Sequence, residues 1–368
     1  MVENAPLNYL SFDIECVPSD PRKPLDSKKD PIVMISLSFS PAFRGRKSLV
    51  VVAKPLNGED TQGFFSEKEM LEEFLKILSS YDPDIITGYN VNGFDFPYIL
   101  DRLRANKLPA NLGRADKPTF VRDAGMVKDC IITGRIAVDP YQIIKRDPWI
   151  KYSRYDLNTI SKIMLNDQKH DIEYGEMHGL WNGSREGLVK FVEYSRKDAD
   201  LALRLVIEKG LLDKFMELSK VSGLLLQDTF GGQTRRVEIM ILHEFKKRDF
   251  VMTCAPSKAD IIRRTKERDK EGLKGAIVLE PKKGLHAEGC VLVLDFKSLY
   301  PSIMRTYNVS PDTLTTESNG THHSPSGAFF VDSTVREGVM PLILKTLIET
   351  RSNTKKRMKT AKGEEKRI

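Results

Sequence analysis

The sequence has no apolar run that could cross a bilayer. Residues 291–294 are among its longest such runs, whereas a spanning helix needs about 20 apolar residues. It has no charged-then-apolar leader at its start. It has only four cysteines, Cys16, Cys130, Cys254 and Cys290, and no C-x-x-C pair, so neither a zinc site nor a disulfide framework is expected. These absences predict a protein of the cytoplasm, a reducing compartment, with no membrane partner.

Net positive charge is scarce outside the last eighteen residues. The formal charge is +7, but eight basic and two acidic side chains in residues 351–368 account for +6 of it. A high isoelectric point usually indicates a nucleic-acid-binding face. Here that inference has little weight for the rest of the chain.

The pattern of apolar residues predicts an α/β fold. Residues 8–15, 32–39, 48–53 and 84–88 are typical of strands, being rich in Ile, Val, Phe and Leu. A helix is predicted to begin after Ser66, because Glu69 completes a capping box, and to end at Asp82-Pro83. The order β-β-β-α-β-α indicates the start of a ribonuclease-H-like mixed sheet.

Longer helices are predicted later in the chain. An apolar stripe predicts a helix over about 184–209, and a second is predicted over 341–358. The charged segment 258–274 is interpreted as a loop or an exposed helix. The main domain boundary is placed after Leu212. At 368 residues the chain is long enough for two or more cores.

Four acids and one tyrosine suit a metal-dependent nuclease. Asp13 and Glu15 share one face of a strand, and Tyr194 and Asp198 lie one turn apart on a helix. If Asp95, at the start of another helix, joins them, four carboxylates repel one another unless cations are present. Two Mg²⁺ or Mn²⁺ ions would activate a water and stabilise the departing 3′ oxygen of a phosphodiester. Taken alone, each motif is more often an ordinary surface or capping pattern.

Together the three segments resemble the exonuclease motifs of family B DNA polymerases, of the DEDD type with a tyrosine. The resemblance implies a 3′→5′ proofreading exonuclease in which Asp13, Glu15, Asp95 and Asp198 are metal ligands. It further implies that Tyr194 positions the nucleophile and that Asn90 and Phe94 lie against the 3′-terminal nucleotides of DNA. Cys16 stands where a threonine is common in the family. The neighbouring acids Asp129, Asp139 and Asp200 are interpreted as structural.

Residues 291–302, Val-Leu-Val-Leu-Asp-Phe-Lys-Ser-Leu-Tyr-Pro-Ser, predict a buried strand with Asp295 at its end. This segment resembles the first palm motif of the same family. The resemblance implies that Asp295 binds catalytic metals, that Tyr300 lies under the sugar, and that Phe296, Ser298 and Leu299 cradle the phosphates of a dNTP. Arg351 and Lys355 resemble the basic pair at the base of the fingers, and a solvated basic helix is an equal alternative.

Two polymerase motifs of the family, Y-x-D-T-D and K-x-x-x-N-S-x-Y-G, do not occur. The expected organisation is therefore a complete exonuclease domain over 1–212 with a mixed five-stranded sheet, a helical linker region over 213–288, a partial α+β palm over 289–345 and the start of the fingers helix over 346–368. DNA synthesis is expected only with a C-terminal polymerase fragment.

A natural split subunit and a truncated product remain equally open. A sliding clamp is a further candidate partner. The sequences of the motifs resemble those of archaeal members most closely. The nucleoid is the expected place of action. Two other hypotheses are an inactive nucleic-acid-binding scaffold and a chain that polymerises DNA unaided.

Overall fold

The computed structural model describes residues 5–18, 20, 23–123, 128–149, 151–168, 174–252, 256–271, 277–316 and 321–361. The chain divides into two units, Met1–Gly231 and Gly232–Ile368. The domain limits predicted at 212, 288 and 345 stay predictions, and residues 213–231 belong to the first unit. Residues 362–368, part of the predicted fingers segment, lie outside the described residues.

A mixed sheet is the centre of the first unit, with strand order β4-β3-β2-β1-β5-β8. Strands β1, β2 and β3 are antiparallel, whereas β5 pairs parallel with β1, β8 parallel with β5 and β4 parallel with β3. A separate hairpin is formed by β6 and β7. The strands are β1 (Tyr9–Cys16), β2 (Ile32–Phe43), β3 (Arg46–Val52), β4 (Thr61–Gly63), β5 (Ile85–Thr87), β6 (Phe120–Asp123), β7 (Lys128–Ile131) and β8 (Ile136–Val138).

The helices among the described residues of this unit are α1 (Glu67–Tyr81), α2 (Asp95–Ala105), α3 (Pro140–Arg146), α4 (Leu157–Leu165), α5 (Tyr174–Asn182), α6 (Arg185–Glu208), α7 (Asp213–Ser222) and α8 (Leu226–Thr229). None of the helices in the described part of the chain is long and apolar enough to span a membrane. The described cysteines Cys16, Cys130 and Cys290 have free thiols, and Cys254 lies outside the described residues.

Strand β1 separates the core from the polar side of the sheet. Its even-numbered side chains, including Phe12 and Ile14, pack into the apolar cluster shared with α1 and α2. Because side chains alternate along a strand, Ser11, Asp13 and Glu15 face the opposite side. Helix α6 packs against β1 and β2 on that side. The alternation in the sequence thus places two carboxylates under α6.

Helices α1 and α6 begin at capping residues that the sequence makes recognisable. The Ser66 hydroxyl accepts the amide of Glu69 at 3.2 Å, and the Ser184 hydroxyl accepts the amide of Gly187 at 3.1 Å. Helix α6 then buries an apolar stripe that includes Phe191. Two polar residues of α6, Ser195 and Asp198, are also buried, which is unusual on such a stripe.

The second unit contains α9 (Gln233–Lys247), α10 (Lys258–Glu271), α11 (Leu299–Thr306), α12 (Val339–Thr360) and a three-stranded antiparallel sheet of β9 (Leu314–Thr315), β10 (Thr321–His323) and β11 (Phe329–Val331). A short 3₁₀ turn, Pro311–Thr313, precedes β9. Helix α12 contacts α9 and α11.

The predicted α/β class is confirmed, but two details differ. The sheet has six strands where five were predicted, because the three-residue β4 adds to the edge beside β3. The predicted strand over 291–294 is wrong, since these residues have no regular secondary structure and their side chains are 81–89% exposed. A strand is stable only when another strand pairs with it, and no described strand does so here.

Candidate active site

Three of the predicted acids meet on the α6 side of the sheet. One carboxylate oxygen from each of Asp13, Glu15 and Asp198 lies within 4.8 Å of the other two. Glu15 and Asp198 are buried, and Asp13 is partly buried. A register shift between Glu15 and Cys16 ends the regular pairing of β1 with β2 just beyond the second acid. Such irregularities commonly re-aim a side chain beside an active site.

Helix α6 supplies Asp198 and Tyr194, which lie one turn apart on the same face of the helix. The helix is fixed on the sheet by the hydroxyls of Ser36 on β2 and Ser195 on α6, which are 2.7 Å apart and buried. Because Ser36 pairs with Asp13 in the register of β1 and β2, this bond lies beside the acids. Tyr194 packs against the apolar cluster around Phe191 and is partly buried.

Asp95 is outside the group of three acids defined by the 4.8 Å distance. Its Oδ1 accepts the backbone amide of Ile14, the residue between Asp13 and Glu15, at 3.2 Å. Burial raises the pKa of Asp95 to about 8, against the lowering effect of that hydrogen bond. The charges of Asp139 and Asp198 raise it further. A bound divalent cation would favour the ionised form.

The segment between β5 and α2 contains the predicted DNA contacts. Asn90 has a left-handed backbone (φ 60°), and Phe94 is 38% exposed with its ring 5.3 Å from that of Tyr98. The segment begins at Gly88, a position where no side chain fits, because a Cβ on Gly88 would lie 2.5 Å from the carbonyl oxygen of Phe12. The chain therefore passes close against β1 before it reaches Asp95.

Asp139, interpreted from the sequence as a structural acid, fixes this segment. Its Oδ1 accepts the amide of Asn90 at 3.0 Å and its Oδ2 accepts that of Asn92 at 3.2 Å. Oδ1 also accepts the amide of Tyr141 and so caps α3. Burial raises the pKa of Asp139 to about 7 despite these bonds. The sequence signal was an Asp-Pro pair directly after a strand, a common helix start with no functional motif.

The second predicted site is not assembled in the described residues. Asp295 and Phe296 are exposed on the irregular segment before α11, and Tyr300 is 77% exposed. Among the described residues, Asp13, Glu15 and Asp198 form the only group of three or more acids, histidines or cysteines with metal-ligand spacing, and Asp295 is outside it.

The remaining predicted nucleotide contacts lie on two helices. Ser298 has a left-handed backbone (φ 54°) immediately before α11, which begins at Leu299. Arg351 and Lys355 are exposed on α12, one turn apart. No described acid approaches them closely enough to form an ion pair with either side chain.

Comparison with known proteins gives one consistent result. Residues 1–160 match the exonuclease domain of DNA polymerase family B, and residues 225–368 match DNA polymerase family B. The DNA polymerase delta catalytic subunit of Caenorhabditis elegans is 33% identical over 99% of this chain and 35% of its own length. That of Plasmodium falciparum is 33% identical over 97% of this chain and 34% of its own length.

A solved structure agrees with these relatives. The family B DNA polymerase of the archaeon Pyrobaculum calidifontis has a TM-score of 0.66 and 29% identity, over 97% of this chain and 44% of that one. The chain spans about a third of the length of the curated relatives it matches.

Proposed function

Because this chain belongs to DNA polymerase family B, we propose that its first unit is a divalent-metal-dependent 3′→5′ exonuclease that proofreads DNA. The observation that supports this most is the gathering of Asp13, Glu15 and Asp198 within 4.8 Å. Three carboxylates this close are stable together only when protonated or bound to cations. Oxygen ligands of this kind suit Mg²⁺ or Mn²⁺.

In the proposed site Asp13, Glu15, Asp95 and Asp198 hold two Mg²⁺ or Mn²⁺ ions. When bound, such a pair supplies an activated water and charge stabilisation for the departing 3′ oxygen. Tyr194 orients that water from α6, while Asn90 and the exposed face of Phe94 hold the terminal nucleotides. Asp139 keeps Asn90 in place through its backbone amide.

We further propose that the second unit contributes dNTP contacts to DNA synthesis, through Asp295, Phe296, Ser298, Leu299, Tyr300, Arg351 and Lys355. One carboxylate does not hold two metals, so the remaining acids must come from outside the described residues, as from a C-terminal polymerase fragment. The free thiols of the described cysteines fit a reducing compartment, so we propose that the protein acts in the cytoplasm, at the nucleoid. A sliding clamp is a candidate partner there.

The test is digestion of single-stranded DNA with a labelled 5′ end, in Mg²⁺ or Mn²⁺. The wild-type protein should shorten the DNA from its 3′ end, and Asp13→Ala should lower the rate by about 1,000-fold or more, because several kcal/mol of metal stabilisation are lost. Asp116→Ala, at an exposed aspartate, is the matched control. Intact DNA with either metal would refute the exonuclease, and binding without hydrolysis would support a scaffold instead.

A further inference from the structure

The three residues directly before Asp198 on α6 bond to three different parts of the first unit. Ser195 is bonded to β2 of the sheet. Successive residues of an α-helix are about 100° apart around its axis, so Arg196 and Lys197 leave the helix in two other directions. The exonuclease chemistry proposed above uses neither of these two side chains.

Arg196 joins α6 to the edge of the sheet. Its guanidinium donates to the backbone carbonyl oxygen of Asp60 at 3.2 Å and to the Thr61 hydroxyl at 3.1 Å. Thr61 is the first residue of β4, which pairs with β3. The same guanidinium lies 3.3 Å from a carboxylate oxygen of Glu193, one turn earlier on α6. The helix is therefore bonded to the strand at the edge of the sheet.

Lys197 joins α6 to the end of α4. Its Nζ donates to Oδ2 of Asp167 at 2.7 Å, and the guanidinium of Arg204, about two turns later on α6, donates to the same oxygen at 2.5 Å. These hydrogen bonds from Lys197 and Arg204 lower the pKa of Asp167 to about 2, so the carboxylate is ionised at neutral pH. Asp167 follows Asn166, whose left-handed backbone (φ 54°) ends α4.

Helix α4 holds Asp167 in place against α6. Leu157 and Ile160 of α4 pack with Leu201 and Leu205 of α6 in one buried cluster. Apolar burial is non-directional, whereas a hydrogen bond depends on distance and angle. The bonds to Asp167 therefore fix the rotation of α6 about its axis more closely than the apolar contacts do.

The rotation of α6 decides where the Asp198 carboxylate lies. One of its oxygens is within 4.8 Å of an oxygen of Asp13 and an oxygen of Glu15. A group about 5 Å from a helix axis moves by about 1 Å when the helix turns by about 12°. Protein metal sites hold their ligand distances to within about 0.2 Å. A small rotation of α6 is therefore enough to take Asp198 away from a cation bound to the other two acids.

We propose that Arg196 and Lys197 are positioning residues of the exonuclease: Arg196 through the start of β4, and Lys197 through Asp167, fix the rotation of α6 and so hold Asp198 at the cation site. The proposal rests on the exonuclease function above. Neither side chain acts on DNA in this role. Removing Asp167, thirty residues away in the sequence, should therefore have the same kind of effect as removing Lys197.

The first test is the rate of hydrolysis of single-stranded DNA in Mg²⁺. Lys197→Met and Asp167→Asn should each lower kcat about tenfold or more with little change in KM, because a displaced ligand impairs the reaction and not the binding of DNA. The double variant should be no slower than Asp167→Asn alone, since both changes break one bond. Lys197→Arg, which keeps the charge, should restore most of the rate. The control Lys220→Met breaks an ion pair of the same 2.7 Å length, with Glu217 on α7, and should leave kcat unchanged.

Arg196→Met removes the bond to the other flank of the helix. It should also lower kcat about tenfold, and its combination with Asp167→Asn should be slower than either variant alone, since the two bonds are separate. A direct role of Lys197 at a DNA phosphate gives a different pattern. Lys197→Met would then raise KM, and Asp167→Asn, which frees the lysine, would leave kcat unchanged. That pattern would overturn the proposal.

The second test does not depend on hydrolysis. Crystal structures of the wild type and of Asp167→Asn, both free of metal, are compared after superposition of the sheet. The Asp198 carboxylate should be displaced in the variant by about 1 Å or more relative to Asp13 and Glu15. A carboxylate that stays in place would overturn the proposal. A wild type that hydrolyses no DNA, with Asp198 displaced in the variant, would overturn only the exonuclease.

Discussion

Asp95 is a buried carboxyl group whose pKa is raised by its burial. It is 3% exposed and receives the amide of Ile14, so its position is fixed by β1 before any cation arrives. In the metal-free protein it keeps a proton up to a pH of about 8, because burial opposes its ionisation. It is therefore positioned to lose that proton when a divalent cation binds.

A first prediction concerns the stability of the metal-free protein. The unfolded Asp95 carboxyl ionises near pH 4 and the folded one near pH 8, so the unfolding free energy should fall as pH rises through this window. In Asp95→Asn, which keeps the Oδ1 acceptor, this contribution is absent. In EDTA the variant should be the more stable protein at a pH of about 8, with its advantage shrinking towards a pH of about 5.

Denaturant unfolding at a series of pH values measures this difference, with Asp116→Asn as the exposed control. Asp139, whose pKa is raised to about 7, interacts with the charge of Asp95, so Asp139→Asn is also compared with Asp95→Asn/Asp139→Asn to isolate the contribution of Asp95. An Asp95→Asn advantage that is the same at every pH would contradict the account.

A second prediction concerns Asp139. In Asp139→Asn an NH₂ group replaces one of the two carboxylate oxygens that accept the amides of Asn90 and Asn92. An NH₂ group cannot accept a hydrogen bond from a backbone amide. The loss of one buried bond should lower the unfolding free energy by about 1–3 kcal/mol. The exonuclease rate should fall as well, because the segment of Asn90 and Asp95 loses its anchor. Denaturation and steady-state hydrolysis measure the two effects, and unchanged hydrolysis would mean that the anchor is structural alone.

At the scale of elements, the helices predicted over definite ranges are present, and four of the five predicted strands match β1, β2, β3 and β5. Helix α6 was expected over about 184–209 and is Arg185–Glu208, and α1 begins after its predicted cap. Caps and 3.6-residue stripes are local signals. A strand depends on a distant partner, so residues 291–294 gave a false prediction, and the hairpin of β6 and β7, with four-residue strands, was not predicted.

A third prediction concerns how α6 is held on the sheet. Ser195→Ala leaves the buried hydroxyl of Ser36 without this partner, which should cost about 1–3 kcal/mol of unfolding free energy. The double variant Ser36→Ala/Ser195→Ala should cost less than the sum of the single variants, because both polar groups are removed together. Denaturant unfolding of the four proteins measures the coupling. Strict additivity would show that the hydroxyl pair does not fix α6 beside Asp13.

At the scale of the whole molecule, apolar packing is concentrated in the first unit. The four clusters of buried apolar side chains found in the described part of the chain lie within residues 7–230. The α/β class of this unit was predicted from the order of its elements. The sixth strand, β4, was not predicted, because a strand of three residues is too short to show an alternation of apolar and polar side chains. The position of the acids in the sequence indicated that they meet, while the absence of Asp95 from the group of three described acids depends on tertiary structure.

A fourth prediction follows from this concentration. A protein ending at Gly231 should unfold cooperatively and digest single-stranded DNA as fast per molecule as the full chain, since the predicted ligands and their supporting bonds lie within it. Calorimetry and the labelled-DNA assay measure both properties, with Asp13→Ala in the shortened protein as the blank. Gradual unfolding would show that the first unit depends on the second.

The central claim is that separate acids form one cation site, and anomalous diffraction from crystals soaked in Mn²⁺ tests it most directly. The account predicts manganese peaks among the carboxylates of Asp13, Glu15 and Asp198, and their loss or weakening in Asp198→Asn. Manganese bound only elsewhere on the protein, with no peak between these three side chains, would contradict it.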